Sequence, residues 1–149
     1  MRNKSFIGSK KELNLLESLY LSKKFEMLIL HGRRRVGKSY LLSHFANLHS
    51  KNVVYFTGDK SSEKNNVKNF CEELNKVLAA GDFIKSFTTW NDVYSFLRNA
   101  DIKERLVLII DEFTYLYNSN PAYDSELQNA IDKILKLKNI FLILCGSEV

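Results

Sequence analysis

Residues 25–50 read FEMLILHGRRRVGKSYLLSHFANLHS, and this stretch decides the fold. A short apolar strand is predicted at residues 27–30, and an amphipathic helix is predicted after Lys38, because leucines and a phenylalanine recur there at helical spacing. Between them, residues 32–39 match the phosphate-binding pattern G-x-x-x-x-G-K-[ST] at every fixed position. The pattern requires a strand before it and a helix after it. We therefore predict a site for the phosphates of a nucleotide.

The fixed residues of this phosphate loop (residues 32–39) each have a physical role. A glycine at each end lets the backbone adopt a positive φ and approach a phosphate closely. Backbone N–H groups at a helix N-terminus attract an anion. Lys38 is expected to supply a positive charge for the β- and γ-phosphates, and the Ser39 hydroxyl is expected to ligate Mg²⁺. The predicted nucleotide contacts of this stretch are Gly32, Arg33, Arg34, Arg35, Val36, Gly37, Lys38, Ser39 and Tyr40.

Composition predicts one globular domain over residues 1–149, with 45% hydrophobic and 26% charged residues. No apolar run exceeds six residues, which is far short of a membrane span. The first residues contain no apolar segment of the kind found in secretory signals, so a cytoplasmic location is expected. Cys71 and Cys145 are expected to be buried, reduced thiols, and neither has a neighbouring cysteine that would indicate a metal site.

The net charge of +5 is concentrated near the start of the chain. Residues 1–51 contain 11 Lys and Arg against three acidic residues, whereas residues 52–149 contain 11 against 14. A basic segment can indicate a nucleic-acid partner. Four of these cations belong to the phosphate loop, where a polyanionic nucleotide would account for them. Nucleic-acid binding therefore stays an open alternative.

Three further strands are predicted at residues 53–56, 106–110 and 140–145. The last two are continuous apolar runs, as expected when helices cover both faces of a strand. Helices are predicted to begin near Ser62, at Thr89 with a capping box, and at Pro121; residues 113–120 are predicted to form a loop.

The first helix is expected to begin after Ser9, which would cap it together with Glu12. Phe6, Ile7 and Gly8 would then be a short apolar lead-in.

Alternating strands and helices predict an α/β fold with three layers, a parallel sheet and helices on both faces. Ligands of such sheets bind at the carboxyl ends of the strands. The phosphate loop, Asp111-Glu112 and Gly146-Ser147 all follow strand ends. We therefore expect them to lie on one rim of the sheet.

An apolar strand that ends in Asp111-Glu112 is expected to complete the nucleotide site. Asp111 would hold Mg²⁺ from the side opposite Ser39. Glu112 would orient or deprotonate a water molecule for attack on the γ-phosphate. An acidic pair alone could simply be a solvated strand end, but an intact phosphate loop in the same chain favours the functional interpretation. Neither Asn-Lys pair of the chain continues as Asn-Lys-x-Asp, which marks guanine specificity, so adenine is predicted as the base.

Four ordered segments of the chain resemble the prokaryotic "archaeal ATPase" family, which are P-loop ATPases similar to the AAA+ and STAND groups. The segments are FIGSKKELNLLESL, LILHGRRRVGKSYLL, LVLIIDEFTYL and IFLILCGSEV. The resemblance implies the P-loop NTPase fold with strand order 5-1-4-3-2, and ATP and Mg²⁺ as ligands. It also implies that Glu112 is the catalytic glutamate and that Ser147 senses the γ-phosphate. Phe6, Ile7 and Gly8 would form one wall of the adenine pocket.

The chain departs from the family at Ser9, where members usually carry a charged residue. Family members also continue past the sensor into a fifth strand and a helical lid, so the resemblance implies a truncated ATPase core. Without a fifth strand, residues 25–31 would form an exposed, apolar sheet edge. We therefore expect this chain to self-associate through that edge.

The sequence thus favours the ATP-binding domain of an ATPase whose hydrolysis in the full-length protein acts as a conformational switch, with little hydrolysis by this chain alone. Two alternatives stay open. One is a nucleotide-regulated interaction module without turnover. The other is a nucleic-acid-handling ATPase of the initiator or helicase-loader type, which would show a salt-dependent affinity for DNA.

Overall fold

The computed structural model describes residues 3–32 and 37–147, and the side chains of residues 10–31 and 37–146. These residues form four strands, six α-helices and two 3-10 helices. In chain order they are α1 (Asn3–Tyr20), β1 (Glu26–Gly32), α2 (Lys38–Leu48), β2 (Val53–Thr57), α3 (Glu63–Leu78), a 3-10 helix (Asp82–Ser86), α4 (Trp90–Asn99), β3 (Leu106–Asp111), α5 (Thr114–Ser119), α6 (Tyr123–Lys133), a second 3-10 helix (Leu135–Leu137) and β4 (Ile140–Ser147).

The four strands form one sheet in the order β1-β4-β3-β2, and every neighbouring pair is parallel. This order is the 1-4-3-2 part of the predicted arrangement. Residues 106–110 of β3 and 140–145 of β4 are apolar and buried because both faces of these central strands are covered, which confirms the expectation from the continuous apolar runs. In the described part of the chain, no helix is both long and apolar enough to cross a bilayer.

Two hydrophobic clusters lie on opposite faces of the sheet and make the fold three-layered. On one face, Leu16 of α1 and Phe45 of α2 pack against Val107, Ile109 and Phe141. On the other face, side chains of α3, α4, α5 and α6 pack against the alternate residues of the same strands. Successive strand residues point to opposite faces, so β3 and β4 contribute to both clusters.

Helices α3 and α4, on the second face, begin with capping residues at the positions predicted from the sequence. The Ser62 hydroxyl accepts a hydrogen bond from Asn65 N at 3.1 Å and caps α3. The predicted capping box of α4 is confirmed, since the Thr89 hydroxyl accepts from Asp92 N while the Asp92 carboxylate accepts from Thr89 N. Trp90, in the first turn of α4, is 1% exposed and packs edge-on against three aromatic rings.

The predicted start of the first helix is wrong. Helix α1 begins at Asn3, so Phe6, Ile7 and Gly8 are helical rather than a lead-in, and Ser9 lies inside the helix instead of capping it. Glycine and serine lower helix stability by only about 1 kcal/mol or less at each position. They therefore need not end a helix that continues on both sides of them.

The predicted loop at residues 113–120 is also wrong, because Thr114–Ser119 forms helix α5. Its tyrosines and asparagines have modest helix propensity, but Leu116 is fully buried, and packing of that side chain outweighs propensity. Pro121 is not the first residue of the next helix. Asn120 instead accepts hydrogen bonds from Ala122 N and Tyr123 N, and α6 begins at Tyr123.

Candidate nucleotide site

The carboxyl ends of the strands meet along one rim of the sheet. Asp111, the last residue of β3, pairs with Thr57 of β2 and Cys145 of β4. Gly32, the last residue of β1, pairs with Ser147, the last residue of β4. The residues predicted to form the site therefore follow adjacent strand ends, and we call this edge the carboxyl rim.

The second glycine of the phosphate loop has the backbone conformation that the motif requires. Gly37 has φ 87° and ψ 9°, which is the left-handed region that favours glycine. It precedes helix α2, and Leu41 N donates to the Gly37 carbonyl at 2.9 Å. Lys38 and Ser39 thus occupy the first turn of α2, where the helix dipole favours an anion.

The Asp111 carboxylate connects the phosphate loop to the central strand. Ser39 Oγ donates to Asp111 Oδ2 at 3.0 Å, across 72 positions of sequence. The Tyr55 hydroxyl donates to the same oxygen at 2.9 Å, and Glu112 N donates to Oδ1 at 2.9 Å. Asp111 is only 6% exposed, so these donors replace the water that a buried carboxylate would otherwise need.

The Ser39 and Asp111 oxygens fit Mg²⁺. This ion prefers oxygen ligands, and it is commonly held by one or two protein groups together with water and substrate phosphates. Among the described residues, no group of three or more His, Cys, Asp and Glu side chains could form an all-protein metal cage. A hydroxyl and a carboxylate beside a phosphate loop match a site where protein groups share the ion with water and substrate phosphates.

Glu112 has an unusual backbone conformation, with φ 54°. Non-glycine residues in this region cost of order 1 kcal/mol and occur where the surrounding structure enforces them. The neighbouring strand ends enforce it here. Gly58 N donates to the Asp111 carbonyl at 2.8 Å, and Phe113 N donates to the Cys145 carbonyl at 3.2 Å. The peptide groups on both sides of Glu112 are therefore anchored to β4 and to the residue that follows β2.

Two ionisable groups beside Asp111 are kept neutral. Burial, and then the Asp111 carboxylate, raise the pKa of the Cys145 thiol to about 12. Burial and the same carboxylate also raise the pKa of Tyr55. Tyr55 therefore keeps its proton at physiological pH and acts as a hydrogen-bond donor.

Several predicted site residues lie wholly or partly outside the described residues. Arg33, Arg34, Arg35 and Val36 of the phosphate loop are among them, and so are the side chains of Phe6, Ile7 and Ser147; for Gly8 only the backbone is described. Their predicted contacts with nucleotide stay predictions. Tyr40 is described, and its side chain is 72% exposed on α2.

Tyr55 and Gly58 lie at the site, although no sequence pattern predicts them there. Tyr55 lies in a short strand of β-branched and aromatic residues, so its ring is expected there for packing alone. Gly58 follows the predicted strand at residues 53–56, where a glycine by itself indicates only the end of a strand. The structure shows that a Cβ at Gly58 would lie 3.0 Å from the Glu112 carbonyl oxygen. Only the sheet order, which places β2 beside β3, could have indicated both contacts.

Comparison with known sequences identifies the family. A family described as "ATPase domain predominantly from Archaea" matches residues 6–149. The chain belongs to this family. Membership confirms the resemblance seen in the sequence, and it agrees with the phosphate loop and the acidic strand end found on the carboxyl rim.

Relatives of this archaeal-type ATPase domain occur in Methanocaldococcus jannaschii. The chain is 29% identical over 144 residues to uncharacterized protein MJECL04, which covers 97% of this chain and 30% of that protein. It is 45% identical over 40 residues to uncharacterized ATP-binding protein MJ0423, which covers 27% of this chain and 68% of that protein. The domain thus spans about a third of the longer relative.

Solved structures share the fold of this archaeal-type ATPase domain. Cdc6p from Pyrobaculum aerophilum aligns with a TM-score of 0.62 and 18% identity, over 93% of this chain and 38% of that one. Drosophila ORC bound to DNA aligns with a TM-score of 0.64 and 11% identity, over 95% and 38%. The Aeropyrum pernix ORC2 protein, in ADPNP-ADP complexes, gives 0.55 and 16%, over 99% and 41%. At these identities the similarity establishes the α/β ATPase fold.

Proposed function

We propose that this domain binds ATP with Mg²⁺ on the carboxyl rim, and that hydrolysis of ATP in the whole protein acts as a conformational switch. The observation that carries the proposal is the 3.0 Å hydrogen bond from Ser39 Oγ to Asp111 Oδ2. It joins the phosphate-binding motif to the acidic end of the central strand β3. Membership in a family of ATPase domains supports the same conclusion.

Each described residue of the site has a role in this proposal. Gly37 allows the loop to turn closely around a phosphate, and Lys38 supplies positive charge toward the β- and γ-phosphates. Ser39 and Asp111 would hold Mg²⁺. When bound, the ion would offset negative charge on the phosphate oxygens.

Glu112 is proposed as the residue that orients or deprotonates the attacking water. Its position directly after Asp111, with its flanking peptide groups anchored, supports this role. Ser147, the last residue of β4, is proposed to sense the γ-phosphate, and Phe6, Ile7 and Gly8 are proposed to contact adenine. The roles of Ser147 and of the adenine contacts rest on the family resemblance alone.

Lys38→Ala tests the phosphate site. ATP at about 100 times its dissociation constant raises the stability of a binding protein by about 2.7 kcal/mol, and the variant should lose that gain. Lys51→Ala is the matched control, since Lys51 is exposed and follows the far end of α2, and it should keep the gain. Equal thermal shifts with Mg·ATP in wild type and Lys38→Ala would refute the assignment.

The alternative without turnover is a module that binds nucleotide and then engages a partner. Phosphate release separates the two proposals, because a binding module would retain affinity for ATP without releasing phosphate. We also propose that the protein is located in the cytoplasm. The two cysteines are free and buried, which fits a reducing compartment.

Nucleic-acid binding is the second candidate function. The 11 Lys and Arg against three acidic residues in residues 1–51 support it, as does the fold shared with a Drosophila ORC that was solved bound to DNA. Its test is the salt dependence of DNA affinity, because each phosphate contact adds roughly one unit to the slope of log affinity against log salt. An affinity without salt dependence would exclude it.

We also propose that this chain self-associates through β1. The strand lies at one edge of the described sheet, and Ile29 on it is 46% exposed. An exposed, apolar strand edge offers unpaired backbone groups to a second copy of the same strand.

A further inference from the structure

Strand β2 carries none of the residues that the motifs assign to the site, yet one of its side chains contacts the metal-binding carboxylate. We propose that Tyr55 is a positioning residue, whose hydroxyl fixes the Asp111 carboxylate in the orientation that Mg²⁺-dependent nucleotide binding requires. This inference rests on the proposed function and deepens it. It adds a third side chain, from a separate strand, to the pair formed by Ser39 and Asp111.

The geometry around Asp111 gives each carboxylate oxygen a defined set of donors. Oδ2 accepts from the Tyr55 hydroxyl at 2.9 Å and from Ser39 Oγ at 3.0 Å, while Oδ1 accepts from Glu112 N at 2.9 Å. The three donors come from β2, from α2 and from the turn after β3. These hydrogen bonds at both oxygens favour one orientation of the carboxylate plane.

Tyr55 and Ser39 are not equivalent donors once a cation binds. If Ser39 ligated a cation, its hydroxyl oxygen would serve the ion as well as the hydrogen bond to Asp111. The Tyr55 hydroxyl is not a predicted ligand, so it can keep donating to Oδ2 with or without the cation. Tyr55 is therefore the side chain suited to hold Asp111 in both states, as donors to metal ligands do in other sites.

The ring of Tyr55 also packs against the cluster formed by α1, α2 and the sheet. Its hydroxyl could thus be a passive partner of a residue placed there for packing. Tyr55→Phe separates the two interpretations, because it keeps the ring and removes only the hydroxyl.

The test compares nucleotide affinity with Mg²⁺ and with EDTA, using a non-hydrolysable ATP analogue in calorimetric titrations. In Tyr55→Phe we expect the affinity in EDTA to stay within about twofold of wild type. The gain in affinity from Mg²⁺ should fall by about tenfold, which is the lower end of the effect of removing a hydrogen bond to a metal ligand.

Tyr20→Phe is the matched control. Its hydroxyl accepts a hydrogen bond from Asn52 Nδ2 at 2.8 Å, and its ring packs against the same cluster. This variant should keep the full gain from Mg²⁺. Thermal unfolding without ligand should show that both variants are folded.

A double variant supplies an independent measurement. If Tyr55 acts through Asp111, Tyr55→Phe should have little further effect on the Mg²⁺ gain once Asp111→Asn is present, since effects within one network are not additive.

The outcomes distinguish this inference from the proposed function. If wild type binds the nucleotide equally well with Mg²⁺ and with EDTA, the proposed metal site is refuted. This inference is then refuted with it. A Mg²⁺-dependent wild type with an equal gain in Tyr55→Phe would overturn the inference alone. Equal losses with Mg²⁺ and with EDTA, or the same loss of the Mg²⁺ gain in Tyr20→Phe, would also overturn it.

Discussion

At the scale of single residues, the proposed function assigns different tasks to the two adjacent carboxylates at the end of β3. Asp111 is buried, and hydrogen bonds hold both of its oxygens. Glu112 is partly exposed and has a left-handed backbone conformation. Binding of Mg·ATP should therefore depend mainly on Asp111, and turnover mainly on Glu112.

Glu112→Gln should leave the affinity for Mg·ATP within about threefold of wild type, because a group that acts on the attacking water contributes mostly in the transition state. Any hydrolysis should fall by about 10²-fold or more, as expected for loss of a general base. Titration calorimetry and phosphate release measure the two quantities. A large loss of affinity in this variant would argue against the general-base role.

Arg105 is a second residue with a defined task, at the opposite end of the sheet. Its guanidinium donates to the Lys24 carbonyl at 2.6 Å, the Leu19 carbonyl at 2.7 Å and Asn139 Oδ1 at 2.9 Å. It thereby ties the end of α1 and the segment before β1 to the start of β4. Burial lowers the pKa of this guanidinium, so its hydrogen bonds must offset the cost of the buried charge.

Arg105→Ala should lower the free energy of unfolding by about 3 kcal/mol, because it leaves buried acceptors without donors. Lys103→Ala nearby is the control and should change stability by about 0.5 kcal/mol or less, because the Lys103 side chain is 82% exposed. Urea denaturation measures both. A loss in Arg105→Ala no larger than that of the control would mean that these hydrogen bonds contribute little.

At the scale of elements, two glycines shape the turn that follows β3. Gly58, after β2, lies against the Glu112 carbonyl, and Gly146 of β4 lies against the Phe113 ring. A Cβ at Gly146 would approach Phe113 Cε1 to 2.8 Å, closer than real Cβ contacts. The strands on both sides of β3 thus limit where Glu112 and Phe113 can be placed.

Gly146→Ala should destabilise the protein by about 1–3 kcal/mol, because the added methyl group overpacks a buried contact. Phe113→Leu shortens the ring side chain and should partly relieve the clash. The double variant should therefore be more stable than the sum of the two single effects predicts, when measured by chemical denaturation. Additive effects would show that the ring is not what the new methyl group meets.

The elements also show what local sequence can predict. The strands at residues 53–56, 106–110 and 140–145 were predicted to within two residues of their observed ends, since continuous apolar runs belong to buried parallel strands. The phosphate loop and Asp111 can be predicted as site residues because their chemistry requires fixed residue types. Helix α5 was missed because burial of Leu116, rather than propensity, stabilises it. The contact of Tyr55 with Asp111 spans 56 positions and depends on sheet order.

At the scale of the whole molecule, sheet order places the two acids on the same rim as the end of β1, and it leaves β1 at an edge of the described sheet. Ile29 on that edge is 46% exposed, and Leu137, at a separate site in the second 3-10 helix, is 81% exposed. Both are large apolar side chains in contact with solvent. Only Ile29 is accompanied by the unpaired backbone groups of a strand edge.

Ile29→Lys should reduce self-association, because a charged side chain discourages pairing at a strand edge. Leu137→Lys, the matched control, should leave association unchanged. Light scattering over a concentration series measures both variants against wild type. A wild-type chain that stays monomeric at high concentration would contradict the proposed edge pairing, as would equal effects of the two substitutions.

The central claim is that Ser39 and Asp111, beside Lys38, form a Mg²⁺-dependent nucleotide site. The most direct measurement is a calorimetric titration of ATP into wild type and Asp111→Asn, each with Mg²⁺ and with EDTA. We predict saturable binding of one ATP by wild type, at least about tenfold tighter with Mg²⁺, and loss of that gain in Asp111→Asn. A wild type that does not bind ATP, or a gain from Mg²⁺ that is the same in both proteins, would contradict the account.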